Sequence, residues 1–351
     1  MKISRLPHQS VWLVSDVHAH GMLLETHWRR KLNDDLFIIL GDFINRGHES
    51  LTTLRIVMRY AKMPYVYVTR GNHEEAILRF LDNKFQTTFE QLLKDPENLY
   101  YQMAGELKGE DVNQEVIKTH FAKELSFLES LPLMLEDDDF IYVHAGIEAR
   151  TDYENSSKKI LIGEDYFYNR GHLSKKIVVC GHFPAAMYRL EEYSNNILID
   201  LEKRIICIDG GLGATTYGQL NCLKIEPTVN GYGYQIFVND SYKTRKVIQY
   251  QAPHGHHRGV CYPAYGLDII RPSTSFTRVR LRDTDEEVYV KNEFIRFYQE
   301  SYWAIDDVPN NHLEVYPEDH VKILCDTTYR YVLAMKNGVH GWIRKDYIEG
   351  Y

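Results

Sequence analysis

The residues equipped for chemistry sit in five short clusters: Asp16-Val17-His18, Gly41-Asp42, Asn72-His73, His144-Ala145-Gly146 and Gly181-His182. Each follows an apolar run and has a glycine or another small residue beside it. One histidine at the end of a strand is ordinarily a satisfied structural residue. Five such clusters together supply carboxylate, amide and imidazole donors, a mixture suited to manganese, iron or zinc rather than calcium. The lack of thiolate argues against a structural zinc site. Two divalent ions that share one carboxylate stand about 3.5–4 Å apart and clamp a phosphoryl group. Asp42 is assigned to that bridge, because burying its charge costs several kcal/mol, roughly, unless cations compensate it.

Strands must carry these clusters. Residues 11–14, 37–40, 65–68, 140–143 and 177–180 are apolar runs stopped by small or polar residues, the pattern of buried strands. Helices are predicted after Gly21 and over residues 50–61, where Leu51, Leu54, Val57 and Met58 share a face. Strand, polar cluster and helix recur three times before residue 80. This alternation predicts a parallel or mixed sheet covered by helices, with ligands bound at the carboxyl ends of its strands. Residues 76–131 are helical in pattern, broken at Asp95-Pro96-Glu97-Asn98, and are expected to cap the active face. Residues 197–200, 205–208 and 219–225 read as further strands, the second ending in Asp209-Gly210-Gly211. After Pro227 the chain turns to Tyr, Val, Thr and Gly, with short β segments at 277–281 and 287–291. His254-Gly255-His256-His257-Arg258 reads as a solvated basic loop rather than a metal site.

Length and composition set the frame. A chain of 351 residues suits two or three domains, and 44% apolar with 26% charged residues is a globular composition. The net charge of −8 argues against a nucleic-acid-binding surface, though not against a local phosphate pocket. Five scattered cysteines without a CxxC pair predict reduced thiols in the cytoplasm. No segment is apolar for long enough to span a membrane, so no membrane partner is expected.

The order DVH, GDFINRG, GNHE, VHAG and CGH resembles the calcineurin-like metallophosphoesterases. Within them it resembles the PPP-type Ser/Thr phosphatases, the phage-type protein phosphatases and the symmetrical diadenosine tetraphosphatases, over residues 10–225. The resemblance implies an α/β class, a four-layer α/β/β/α sandwich. Asp16, His18 and Asp42 would hold one divalent ion, and Asp42, Asn72, His144 and His182 the other, manganese foremost with iron or zinc as alternatives. His73 would protonate the leaving oxygen after attack by a hydroxide held between the ions. Arg46 and Asn72 would bind phosphate oxygens.

Three positions depart from the family pattern. Asn45 stands where GDxxDRG has the second aspartate, the residue that orients and charges the catalytic histidine; an amide can orient the ring but cannot stabilise imidazolium. Gly163 stands where many relatives carry a phosphate-binding arginine, and Arg170 is the nearby substitute. Ala19 replaces a glycine. The expected activity is hydrolysis of phosphomonoesters, foremost of phosphoproteins. The alternatives are a dinucleoside polyphosphate hydrolase and a metal-binding pseudo-phosphatase that docks partners.

The C-terminal region, with YPEDHVKIL at 316–324 and NGVHGWIRKDYI at 337–348, resembles the second half of a Src-homology-3-like barrel. The implied division is a catalytic domain at 1–226, a β-rich extension at 227–287 and a barrel at 288–351. Through that barrel the chain would reach a protein partner.

Overall fold

In the computed structural model, which describes every residue except 33, 82–88, 109–111 and 256–258, the first two strands show why their sequences are almost wholly apolar. Val11 and Leu13 of β1 (Val11–Val14) and Leu36, Ile38 and Leu40 of β2 (Leu36–Leu40) enter one core with Leu135, Phe140, Tyr142 and Val179. Trp12, Val14, Phe37 and Ile39 enter another, with residues of the helices α1 (Gly21–Trp28) and α2 (Ser50–Tyr60). Side chains alternate along a strand, so a sheet covered on both faces needs an apolar residue at every position.

Contacts divide the chain into two compact units. The first comprises Met1–Pro184, Ile197–Ala214 and Gly218–Asp240. It contains β3 (Val66–Thr69), β4 (Met134–Glu136), β5 (Phe140–Val143), β6 (Ile177–Cys180), β7 (Leu198–Asp200), β8 (Ile205–Cys207), β9 (Leu220–Thr228) and β10 (Gly231–Asn239). One five-stranded sheet runs β10-β9-β1-β2-β3, with β1, β2 and β3 parallel. The other runs β4-β5-β6-β8-β7, with β5, β6 and β8 parallel. The two sheets face each other across the core that Val11 and Phe140 share.

The helices α3 (Asn72–Leu81), α4 (Phe89–Leu92), α5 (Leu99–Glu106), α6 (Gln114–His120) and α7 (Ala122–Ser130) follow β3. They bury Ile77, Phe80, Tyr100, Met103, Ile117 and Leu128 in the core on the outer face of the first sheet. The segment expected to cap the active face is therefore chiefly an outer layer of that sheet. Asn98, in the predicted break, caps α5 by accepting from the Tyr100 N–H. Over the second sheet lie α8 (Lys158–Gly163) and α9 (Phe167–Arg170), from which Leu161 and Phe167 are buried. Among the described residues no helix is long and apolar enough to cross a membrane.

The segment 227–287 does not stand apart. Its first strand, β10, forms a hairpin with β9 around Val229-Asn230 and clusters with the first unit. The second unit comprises Ala185–Asn196, Thr215–Tyr217 and Ser241–Tyr351, and two antiparallel sheets build it. Its strands are β11 (Lys243–Lys246), β12 (Gly266–Arg271), β13 (Phe276–Leu281), β14 (Glu287–Lys291), β15 (Ile295–Tyr298), β16 (Ser301–Ala304), β17 (His320–Cys325), β18 (Tyr331–Lys336) and β19 (Val339–Arg344). They are ordered β14-β13-β12-β16-β15 and β11-β17-β18-β19. Strands from before residue 288 complete both sheets, so 288–351 is not a self-contained barrel. Trp342 is fully buried and its indole N–H donates to the Pro309 carbonyl at 2.9 Å, which makes it a core residue. Of the histidine-rich loop, residues 256–258 lie outside the described residues.

Candidate active site

Because β1, β2 and β3 are parallel, as are β5 and β6, their carboxyl ends deliver the five clusters to one edge. The turns that follow are sharp. Asp16 (φ 53°), His18 (42°), Ala19 (64°), Asp42 (50°), Asn45 (61°), Arg46 (58°) and His182 (69°) all adopt left-handed backbone. For residues other than glycine this conformation costs on the order of 1–2 kcal/mol each, and its concentration here marks a site held by its surroundings. Two neighbouring glycines have a steric reason. A Cβ on Gly71 would fall 2.1 Å from Asp42 Oδ1, and one on Gly181 would fall 2.3 Å from Asp16 Oδ2.

Asp42 is the centre of the cluster. Its Oδ2 lies 3.3 Å from His144 Nε2 and 3.9 Å from His73 Nε2, while its Oδ1 accepts from the His73 backbone N–H at 2.9 Å. Asn72 Oδ1 lies 3.0 Å from His144 Nε2 and 2.9 Å from His182 Nδ1. Asp16 Oδ1 lies 3.8 Å from His18 Nε2. Donor atoms of His18, Asp42 and His73 gather within 4.8 Å of one another, as do those of Asp42, His144 and His182, so Asp42 belongs to both groups. The rings are aimed from behind. His144 Nδ1–H donates to the Leu40 carbonyl at 2.7 Å and His18 Nδ1–H to that of Ile44 at 3.3 Å, which turns each Nε2 inward. His18 Nε2 and Asp209 Oδ2 are buried without any hydrogen-bond partner. Orphaned buried polar atoms beside oxygen and imidazole donors fit a pair of divalent cations.

The charges follow from burial. Asp16, His18, Asp42 and His144 are all 2% exposed or less. Burial depresses the His18 imidazole to about 3 and lowers that of His73 as well. For His144 burial acts the same way, but Asp42 and Asp16 override it and hold the ring at about 10. Burial pushes Asp42 up, yet His144, His73 and His18 keep it well below the usual carboxylate range. Without cations, the acidic cluster thus retains a proton on His144.

The structure brings Asp16, His18, Asp42, Asn72, His144 and His182 together, with His73 against Asp42. Asn45 Oδ1 accepts from the Leu99 N–H at 2.9 Å, which leaves its Nδ2 facing His73 Nδ1 at 3.3 Å. That ring nitrogen must accept, so the neutral His73 carries its proton on Nε2, the atom turned towards Asp42. Arg46 is exposed beside the cluster, and its charge bears on His18, His73 and Asp209. Arg170 is committed elsewhere: it donates to the Ile147 carbonyl at 2.7 Å, pairs with Glu164 at 3.3 Å and lies over the Phe167 ring.

Two buried acids escaped the sequence reading. Glu74 accepts from the backbone N–H groups of Asp42, Gly71 and Phe43 at 2.8, 2.8 and 3.0 Å, pinning the loops after β2 and β3 to each other. In sequence it resembles any acid in the first turn of a helix. Burial and the Asp42 charge push it up to about 7. Asp209 accepts from the Gly211 N–H at 2.7 Å, and burial and Asp16 raise its carboxyl well above the usual range. Its signal was available, since it too is an acid between an apolar run and glycine.

A symmetrical bis(5'-nucleosyl)-tetraphosphatase from Wigglesworthia glossinidia brevipalpis is 30% identical over 162 residues, 43% of this chain and 51% of the relative. Serine/threonine-protein phosphatase 2 of Escherichia coli is 34% identical over 80 residues, 22% of this chain and 35% of the relative. The chain thus spans about half, or less, of the curated relatives it matches. A protein serine/threonine phosphatase structure from Saccharomyces cerevisiae aligns at a TM-score of 0.45 and 14% identity, covering 69% of this chain and 83% of that one. The model of the calcineurin-like phosphoesterases matches residues 10–205, more than half of the 351, and the chain belongs to that family.

Proposed function

We propose that the chain is a two-metal phosphoesterase that hydrolyses phosphomonoesters, foremost those of phosphoserine and phosphothreonine in proteins. The observation that carries this reading is the placement of Asp42 in two ligand groups at once, with His73 against it. Asp16, His18 and Asp42 would hold one ion, and Asp42, Asn72, His144 and His182 the other. The donor set, oxygen and imidazole without thiolate, favours manganese, with iron or zinc as alternatives. When bound, the ions supply charge for the phosphoryl oxygens and lower the pKa of water towards about 7. Arg46, exposed and without an ion pair among the described residues, binds phosphoryl oxygens. As imidazolium, His73 delivers its Nε2 proton to the departing oxygen and is left neutral, and Asn45 orients the ring.

The test is a manganese-loaded wild type against Asp42→Asn, on p-nitrophenyl phosphate and a phosphoserine peptide. Loss of the carboxylate common to both groups should remove at least ~100-fold of the rate together with bound metal. A metal-loaded wild type that hydrolyses neither substrate overturns the reading. The tetraphosphatase relative favours a second reading, hydrolysis of dinucleoside polyphosphates. Diadenosine tetraphosphate in the same assay separates the two.

A further inference from the structure

The first sheet ends in an unusually long edge strand. β10 has nine residues, whereas every other strand at the edge of a sheet among the described residues has six or fewer. It pairs with β9 over all nine positions without a register shift and has no second partner strand among the described residues. The hairpin loop has two residues, so Thr228 and Gly231 form a hydrogen-bonded pair. Alternation then turns the backbone N–H and C=O groups of Tyr232, Tyr234, Ile236 and Val238 away from β9. Among the described residues those groups make no backbone bond on that outer side.

Edge strands are ordinarily guarded by lysine, proline, a bulge or a covering element. β10 reads GYGYQIFVN, without charge or proline, in a chain that is 26% charged. Its pairing shows no bulge. Gly231, Gln235 and Ile236 are exposed, Ile236 at 43%. On the neighbouring strand Lys224 and Glu226 neutralise each other.

We propose that β10 pairs with β10 of a second copy of this chain, antiparallel about a twofold axis at Gln235. This register aligns all nine residues of one strand with all nine of the other. It sets Tyr232 opposite Val238 of the second copy and Tyr234 opposite its Ile236, each twice by symmetry. These pairs use every outward backbone group of the strand. Aromatic against β-branched residues is a favoured cross-strand combination. On the other face of the sheet Phe237 falls opposite Gly233 of the second copy. A Cβ added at Gly233 would meet no atom closer than 3.5 Å, so a ring can cover the gap that the glycine leaves. At the axis Gln235 meets its own copy, a pair without like-charge repulsion. The strand is complementary to itself, which selects a second copy over a foreign peptide. The result is one continuous sheet with five strands from each copy.

Sedimentation equilibrium of the full chain should give a dimer, twice 41.2 kDa, above about 10 µM. Ile236→Lys places a charge between the strands twice over and should weaken association at least about tenfold. Gln235→Cys reads the register independently. A non-hydrogen-bonded antiparallel pair holds its Cα atoms about 4.5 Å apart, within reach of a disulfide. Oxidised glutathione should join the two new thiols, releasing two reduced glutathiones and leaving a covalent dimer on a non-reducing gel. Val229→Cys, fully exposed at the hairpin loop and remote from its counterpart in this register, should run as a monomer after the same treatment. A wild type that stays monomeric at that concentration overturns the proposal. So does a dimer that withstands Ile236→Lys, or equal linking of Gln235→Cys and Val229→Cys. If Ile236→Lys fails to fold, the two cysteine variants decide.

Discussion

Replacing Asn45 by aspartate tests the acid catalyst directly. The wild-type amide offers N–H to His73 Nδ1 at 3.3 Å, and its orientation is fixed because Oδ1 takes the Leu99 N–H at 2.9 Å. Protonating His73 would set a ring N–H against that amide N–H, and burial already depresses the ring below the ordinary 6.5. An aspartate of the same shape keeps the Leu99 bond and turns the clash into a charge-assisted hydrogen bond to imidazolium, worth about 1.5–3 kcal/mol. At 1.36 kcal/mol per pKa unit, the imidazolium should persist roughly one to two units higher in pH. The sign is then clear: the high-pH fall in activity should move upward in Asn45→Asp. At neutral pH kcat/KM should rise about tenfold for a phosphoserine peptide, whose alkoxide leaving group needs a proton. With p-nitrophenyl phosphate, whose phenolate leaves unaided, the change should stay within about twofold. Full pH profiles for both substrates provide the assay. Equal effects on the two, or an unmoved alkaline limb for the peptide, would refute the role given to Asn45 and His73.

Metal loading should expel a proton. His144 is held at about 10 without cations, whereas an imidazole ligand must be neutral. Apparent manganese affinity at the site that includes His144 should therefore rise up to about tenfold per pH unit through neutrality, with about one proton released per chain. Calorimetry in buffers of different ionisation enthalpy reads this, and a pH-independent affinity would contradict it. Glu74→Ala strands three buried N–H groups and should cost about 3–6 kcal/mol in chemical denaturation; a loss below ~1 kcal/mol would show that the two loops hold without it. Ala19→Gly relieves a left-handed residue and should raise stability by up to about 1 kcal/mol, whereas a clear loss would mean that the alanine methyl contributes packing there.

The residues gathered at the candidate site were legible because their clusters follow apolar runs, and such runs mark strands buried on both faces. Residues 11–14, 140–143, 177–180 and 287–291 are strands with those same bounds in the structure. Where the pattern is weak the sequence was silent. β4 is three residues long and ends in an acid. β10 looked like the start of a new region after Pro227, yet it pairs with β9 in register, Tyr234 opposite Ile225. No change in composition marks Ala185–Asn196 or Thr215–Tyr217 as parts of the second unit.

By itself the sequence determined the types of candidate donor, their order along the chain and the strands that precede them, since donor chemistry and hydrophobic period are local properties. It also placed Asn45 where the family pattern has aspartate. Only the tertiary structure decided which donors meet. Parallel pairing brings Asp42 to both ligand groups, Glu74 ties the loops after β2 and β3, and the Leu99 N–H determines which end of Asn45 faces His73. These outcomes depend on contacts between residues from tens to more than a hundred positions apart, and no local period or propensity encodes them.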